Sequence, residues 1–256
     1  MIEARNIELL KNYKDLLQNN KKVSEIRKKI LEGDVIVFKN VLEKKLVFEI
    51  INYLKGIGRG SFPNYNPIVQ GAPNFHRVNI WDQRSYVKGC FHQFNFFPWN
   101  QDVFNFFELT KEIFYLKNLL NNQSKEKFLR AQPEDGCVSR LSFQFYPKGI
   151  GGLNKHSDPV DYHQLTVPSL VMSKKGVDFQ TGGFYVAGNK GDLSIEDYCD
   201  LGDVIFFNAQ IPHGVSIIDE SSIEDWLSFE GRWMMIFATN KLQNNLNVAD
   251  AIDLES

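Results

Sequence analysis

The residues with the clearest chemical potential in this 256-residue chain are two histidines and an aspartate. His156 and Asp158 close the run Tyr146-Pro-Lys-Gly-Ile-Gly-Gly-Leu-Asn-Lys-His-Ser-Asp158, and in extended backbone side chains two residues apart point to the same side. His213 follows in Pro-His-Gly-Val, after a train of short strand-like segments. Two imidazoles and one carboxylate make the facial set that suits ferrous iron and leaves coordination positions open for other ligands. The absence of nearby thiolates disfavours a structural zinc site. A His-x-Asp tripeptide alone is common, so the weight of this reading falls on what flanks it.

Three strands would position these groups. Val138 to Pro147 alternates, with Leu141, Phe143 and Phe145 on one face and Arg140, Ser142, Gln144 and Tyr146 on the other. Gly202-Asp-Val-Ile-Phe-Phe-Asn-Ala-Gln-Ile-Pro-His213 reads as a strand that delivers a histidine through a proline-set turn. Gly231-Arg-Trp-Met-Met-Ile-Phe237 is a further strand with one cation at its start. Additional short strands are expected at Leu165–Ser173, Val177–Gln180, Phe184–Ala187 and Val215–Ile218, punctuated by Gly182-Gly183, Gly188-Asn189 and Gly202-Asp203. Many short strands with glycine-rich turns indicate a barrel or a double-sheet jelly roll.

Upstream the texture is helical. Ile7, Leu9, Leu10, Tyr13, Leu16 and Leu17 predict an amphipathic helix over residues 3–20, and Ser24 can cap a second one that ends near Gly33. Asp34–Phe38 reads as a buried strand; Val47, Ile50, Ile51 and Leu54 give the next helix its apolar face, which Gly56 to Gly60 should stop. From Ser61 to Trp99, Pro63, Pro67, Pro73 and Pro98 break any long element. This stretch is predicted to form loops over the site, with one or two strands around Val78–Trp81, and His76, Arg77 and Trp81 are candidate substrate contacts. Asn100 to Arg130 returns to helical spacing. The fold class expected is α+β, a double-stranded β-helix (jelly-roll, cupin-like barrel) with N-terminal helices packed on it. The whole chain forms one domain, with residues 1–135 mainly helical, 136–240 the jelly-roll core and 241–256 a tail.

Composition bounds the function. A net charge of -2 offers no basic field to nucleic acid or an anionic membrane. The 21 Phe and 9 Tyr suit strands and a pocket walled by rings. Three scattered cysteines, Cys90, Cys137 and Cys199, argue for a reducing compartment and mark no nucleophile. The first residues hold no apolar run of signal-peptide type, so the expected location is the cytoplasm.

With these motifs in place, the chain resembles the iron(II)- and 2-oxoglutarate-dependent oxygenase superfamily. The resemblance spans about Tyr146 to Ala238: His156-x-Asp158, the Gly-Asp…Pro-His213-Gly-Val segment, and Arg232 on the last strand, with a weaker echo in Leu31-Glu-Gly-Asp-Val-Ile-Val-Phe-Lys39. It implies that His156, Asp158 and His213 bind Fe(II), that Arg232 pairs with the distal carboxylate of 2-oxoglutarate, and that Tyr146 donates its hydroxyl to the same cosubstrate. A guanidinium fork suits a carboxylate. Arg232 lies farther past His213 than the family spacing, a difference that an enlarged loop over Asp219 to Glu230 can absorb; Arg140 is the alternative anchor. The implied reaction consumes O2 and 2-oxoglutarate, releases succinate and CO2, and hydroxylates an unactivated C–H. Superfamily halogenases carry a small residue in place of the carboxylate, so Asp158 points to hydroxylation.

A small polar substrate such as a free amino acid or short peptide is expected, with Arg140, Gln144, Arg77 and Trp81 as its candidate contacts. Asp161 and His163, just past the triad, are candidates to support its ligands, and Lys155 is expected to be solvated. Two alternatives stay open: a prolyl or other protein hydroxylase of the same superfamily, and a cupin-like protein that binds metal without redox turnover. A nucleic-acid demethylase ranks below both, since Ala238 and Thr239 stand where those enzymes carry a second arginine.

Overall fold

A computed structural model describes residues 2–160, 164–245 and 249–255. Its strands are β1 (Asn6–Leu10), β2 (Asp34–Phe38), β3 (Phe75–Ile80), β4 (Gly89–Phe96), β5 (Cys137–Pro147), β6 (Gly152–Ser157), β7 (Ser169–Val171), β8 (Gly183–Gly188), β9 (Gly191–Ser194), β10 (Val204–Phe206), β11 (His213–Ser216), β12 (Gly231–Lys241) and β13 (Ile252–Asp253). The helices are α1 (Asn20–Leu31), α2 (Lys44–Gly60), the single-turn α3 (Phe106–Leu109) and α4 (Lys111–Leu120). Strand order runs β1-β2-β10-β7-β12-β5-β4-β6-β11-β8-β9, with β3 on β4 and β13 on β6.

Strand β4 is where the sheet turns over on itself. Its C-terminal part pairs with β5 and its first residues, Gly89 and Cys90, pair with β6. Strands β2-β10-β7-β12-β5-β4 therefore form one layer and β6-β11-β8-β9 continue into a second. Side-chain alternation decides what each face meets. On β5 and β12 the odd-numbered set, including Leu141, Phe143, Phe145, Trp233, Met235 and Phe237, joins one core with Ile26 and Ile30 of α1, Ile50 and Leu54 of α2, and Ile113 and Phe114 of α4. The even-numbered Tyr146 and Met234 face the other way, into a second core with Phe184, Val186, Phe207 and Val215. The helices thus cover one face, and the other encloses the space between the two layers.

Several expectations change in the first half. Asn6–Leu10 is a strand, parallel to β2, and only a 3-10 turn over Tyr13–Gln18 follows, so no helix spans residues 3–20. The cap of α1 is Asn19, whose side chain accepts from the Lys22 N–H at 3.1 Å, and Ser24 lies inside the helix. Helix α2 runs through Gly56 to Gly60. Gly58 serves close packing, because a Cβ there would meet the Phe229 ring at 2.3 Å. The segment 61–99 supplies two strands, and β4 is buried along its whole length. Residues 1–135 are therefore mixed, with four strands beside the helices. Val177–Gln180 is no strand; Lys175 and Phe179 make only an isolated bridge. Among the described residues no helix is long and apolar enough to cross a membrane.

Candidate metal centre and active site

Strand pairing brings the two histidines together. His156 on β6 and His213 at the start of β11 are direct partners in an antiparallel ladder, and their ring centroids lie 4.2 Å apart. A register shift between His213 and Val215 bulges β11 at this point, a device that re-aims side chains next to sites. Asp158 follows β6 directly, and its backbone N–H donates to the Ala209 carbonyl at 2.9 Å, which ties it to the segment leading to His213. The ligand atoms of His156, Asp158 and His213 all lie within 4.8 Å of one another, and Asp158 Oδ2 is 3.6 Å from His213 Nε2.

The hydrogen bonds fix which nitrogen each ring offers. His156 Nδ1 donates to the Asn154 carbonyl at 2.9 Å and His213 Nδ1 donates to the Ile211 carbonyl at 2.8 Å. Both rings present a bare Nε2 toward Asp158, the tautomer a metal requires. Burial, with the neighbouring His213, holds the His156 pKa down to about 4, so the ring is neutral near pH 7. Burial works against the Asp158 charge, yet the facing imidazoles, His213 before His156, and the Arg140 guanidinium hold its carboxyl below the usual range. Two imidazoles with Nδ1 committed to backbone carbonyls and a carboxylate held ionised, with no thiolate, fit a divalent ion of the ferrous type.

The triad opens onto a cavity of about 720 Å³. Tyr146, Gln144, Arg140 and Arg77 line it together with the three proposed ligands. Trp81 does not; it sits past the end of β3, 45% exposed. The strand register explains this, because Arg77 lies opposite Gln93 on the cavity face while Trp81 falls in the turn beyond. Tyr146 donates its hydroxyl to Gln144 Oε1 at 2.5 Å, and burial raises its pKa, so it remains a donor at neutral pH.

Arg232 stands one layer behind the wall. Its guanidinium carbon lies 5.9 Å from the Tyr146 ring and 6.0 Å from the Phe184 ring, and both rings line the cavity. Its Nε donates to Glu196 Oε1 at 2.5 Å, with both side chains almost fully buried. A buried guanidinium requires a counter-charge, and Glu196 supplies it. The same oxygen accepts from the Phe184 N–H at 2.7 Å. Gly183 makes room for this: at φ +108°, a Cβ there would meet Glu196 Cγ at 2.7 Å. Glu196 was not legible beforehand, because nothing in Ser194-Ile-Glu-Asp-Tyr198 marks a buried acid.

His76 faces away from the cavity. It joins a relay in which the Ser61 hydroxyl donates to His76 Nδ1 at 3.0 Å, His76 Nε2 donates to His92 Nδ1 at 2.9 Å, and His92 Nε2 donates to the Trp226 carbonyl at 3.1 Å. That carbonyl can only accept, which sets every donor in the chain. The relay docks the enlarged loop over Asp219 to Glu230 through the Trp226 carbonyl. Burial holds both histidines down to a pKa of about 4, against 6.5 ordinarily. As pH falls below 6.5, the unfolded chain takes up protons that the folded one refuses. Metal-free protein should therefore lose stability between pH 6.5 and 4, by up to about 1.4 kcal/mol per pH unit for each ring. Urea midpoints across that range should show the slope, and His76→Asn with His92→Asn should make it shallower; an unchanged slope would place the proton uptake elsewhere.

Of the remaining candidates, Lys155 pairs with Asp192 at 2.9 Å, and Asp161 and His163 lie outside the described residues. All three cysteines are free, and burial raises the Cys90 thiol to about 11, so it is no thiolate at neutral pH.

No family model matches the sequence, and no curated protein matches it. Solved structures do. A Pseudomonas putida prolyl-4-hydroxylase superposes with a TM-score of 0.52 at 12% identity, covering 86% of this chain and 98% of that one. A full-length Neurospora crassa protein in complex with alpha-KG gives 0.56 at 12% identity, covering 94% and 88%. JOX2 in complex with 2OG, Fe and JA gives 0.54 at 12% identity, covering 98% and 79%. The chain shares the fold of these three structures. Within this fold the two histidines come from β6 and β11, Asp158 follows β6, and the cavity is walled by β3, β4 and β8 as well as β5 and β12.

Proposed function

We propose that this protein is an Fe(II)- and 2-oxoglutarate-dependent dioxygenase that hydroxylates an unactivated C–H of a small polar metabolite, such as a free amino acid or short peptide, with release of succinate and CO2. The observation that carries the proposal is the convergence of two Nε2 atoms and one ionised carboxylate on a single cavity. We read the two layers as a double-stranded β-helix within a single domain. His156, Asp158 and His213 would hold the iron; Tyr146 at the wall would receive 2-oxoglutarate, with the Arg232 guanidinium behind its ring supplying positive charge. Ferrous iron at such a site supplies dioxygen activation coupled to decarboxylation of the keto acid. The protein's part is placement. The backbone carbonyls of Asn154 and Ile211 fix the rings, Tyr146 stays protonated as a donor, and Phe184 and Phe207 keep the inner wall apolar. A small substrate fits the cavity, whose volume is typical of small-molecule pockets.

Anaerobic titration with Fe(II) and 2-oxoglutarate should develop a weak visible charge-transfer band. Admission of air with a metabolite pool should then yield succinate. A cupin-like binder without redox turnover would give neither, and that result would reject the proposal. The superposition on a prolyl-4-hydroxylase supports a second substrate class, and a proline-containing peptide arm in the same assay tests it.

A further inference from the structure

One wall of the cavity is unusually rich in donors. Opposite residues on paired strands share a face, so Arg77 on β3, Gln93 on β4 and Gln144 on β5 stand in one row, with Asn95 and Ser142 paired in a neighbouring row and Arg140 beyond them. Within this patch Arg77 Nε, Arg140 Nε, Asn95 Nδ2 and Ser142 Oγ are buried without a hydrogen-bond partner. Three of these atoms can only donate and the fourth can. Buried donors are ordinarily paired, so the two on cavity-lining residues, Arg77 Nε and Arg140 Nε, describe a surface shaped for an acceptor-rich ligand, with Asn95 and Ser142 packed behind it.

Charge points the same way. Arg84 takes both oxygens of Asp82 at 2.8 and 3.0 Å, and Lys241 pairs with Asp250 at 2.8 Å. Arg77 Nη2 donates to the neutral Ser85 hydroxyl at 2.6 Å and reaches Asp82 only at 3.8 Å. Arg140 has a neutral partner, Asn95 Oδ1 at 3.0 Å, and among the described residues no carboxylate within 4.0 Å. The acid whose charge Arg140 senses is Asp158, a proposed metal ligand, and the nearby Arg77 charge opposes it. Asp158 would be committed to the ion, which leaves two cations on this wall without a dedicated acid.

We propose that Arg140 and Arg77 form the substrate's anion site, which takes a carboxylate or phosphate monoester and thereby holds the rest of a small acidic molecule against the metal centre. The proposal rests on the dioxygenase reading for the neighbouring metal and cosubstrate. Arg232 and Tyr146 lie at the opposite end of β5 and β12, since Arg232 pairs with Tyr146 and Arg140 with Ala238. The two anion-binding ends are thus separated along one sheet, one for each of two acidic ligands.

The test is calorimetric titration of the full chain, loaded with manganese(II) and 2-oxoglutarate under nitrogen so that nothing turns over. The probes are monocarboxylic acids with their primary amides, and phosphate monoesters with their parent alcohols. The acids or the phosphates should bind at least about tenfold more tightly than their neutral partners, the scale of a charge-assisted hydrogen bond, and the set that does so names the head group. Arg140→Gln and Arg77→Gln should each remove most of that preference, Arg140→Lys should retain most of it, and 2-oxoglutarate affinity should stay within about twofold. Equal binding of neutral and anionic probes, or a preference that survives Arg140→Gln, would overturn the proposal. So would a tenfold loss of 2-oxoglutarate affinity in Arg140→Gln, which would make Arg140 a cosubstrate residue. If 2-oxoglutarate fails to bind while the anion preference persists through Arg140, the dioxygenase reading falls and the anion site stands.

Discussion

Asp158→Ala should lower 2-oxoglutarate-dependent succinate formation by on the order of a thousandfold or more, the equivalent of the several kcal/mol a bound metal contributes to such chemistry. The expectation follows from charge as much as geometry. Asp158 is the one carboxylate among the three donors, so its removal takes away the anionic ligand that offsets a divalent ion. Iron retained after desalting should fall with activity. The fold should survive, because Asp158 follows β6 and its anchoring hydrogen bond to Ala209 is made by the backbone. A far-ultraviolet dichroism spectrum like the wild type's, with lost iron and lost succinate, is the expected set. Turnover within tenfold of wild type would mean that the carboxylate is not a ligand, whatever its position.

What the sequence revealed of this site, and what it hid, divides along a physical line. Local periodicity is written in neighbouring residues, so the alternation of β5 was legible and placed Arg140, Gln144 and Tyr146 on one face. The spacing of His156 and Asp158 was legible for the same reason. Strand β4 could have been found likewise, since Gln93 and Asn95 alternate with Phe94 and Phe96, but the prolines around it suggested loop. In Asn6–Leu10, Ile7, Leu9 and Leu10 satisfy a helical pattern in so short a run, and pairing with β2, a nonlocal event, settled it as a strand. Glycines misled at α2, where Gly58 is a packing residue against Phe229 and not a stop. Nonlocal ion pairs were out of reach altogether. Glu196, in the turn after β9, meets Arg232 on β12 only through the tertiary fold, and no spacing rule connects them.

That pair makes the second large prediction. Arg232→Met should cost about 3–5 kcal/mol of folding stability, the usual penalty when one member of a buried ion pair is removed and the other is left uncompensated. Glu196 is the member left behind, almost fully buried and held by the Phe184 N–H alone. Glu196→Gln should also destabilise, by less, since an amide oxygen can still accept from both donors. The double variant Arg232→Met with Glu196→Gln should recover most of the loss, because no uncompensated charge then remains inside. Stability alone therefore reports only a structural role. Cosubstrate binding separates the two functions: in both Arg232→Met and the double variant, the 2-oxoglutarate affinity read from the charge-transfer band should fall by about tenfold or more, whereas restored stability should bring none of it back. A double variant that binds 2-oxoglutarate as well as wild type would reduce Arg232 to a core ion pair, and the cosubstrate's distal carboxylate would then have to be held from the cavity wall, where Arg140 and Tyr146 are exposed to it.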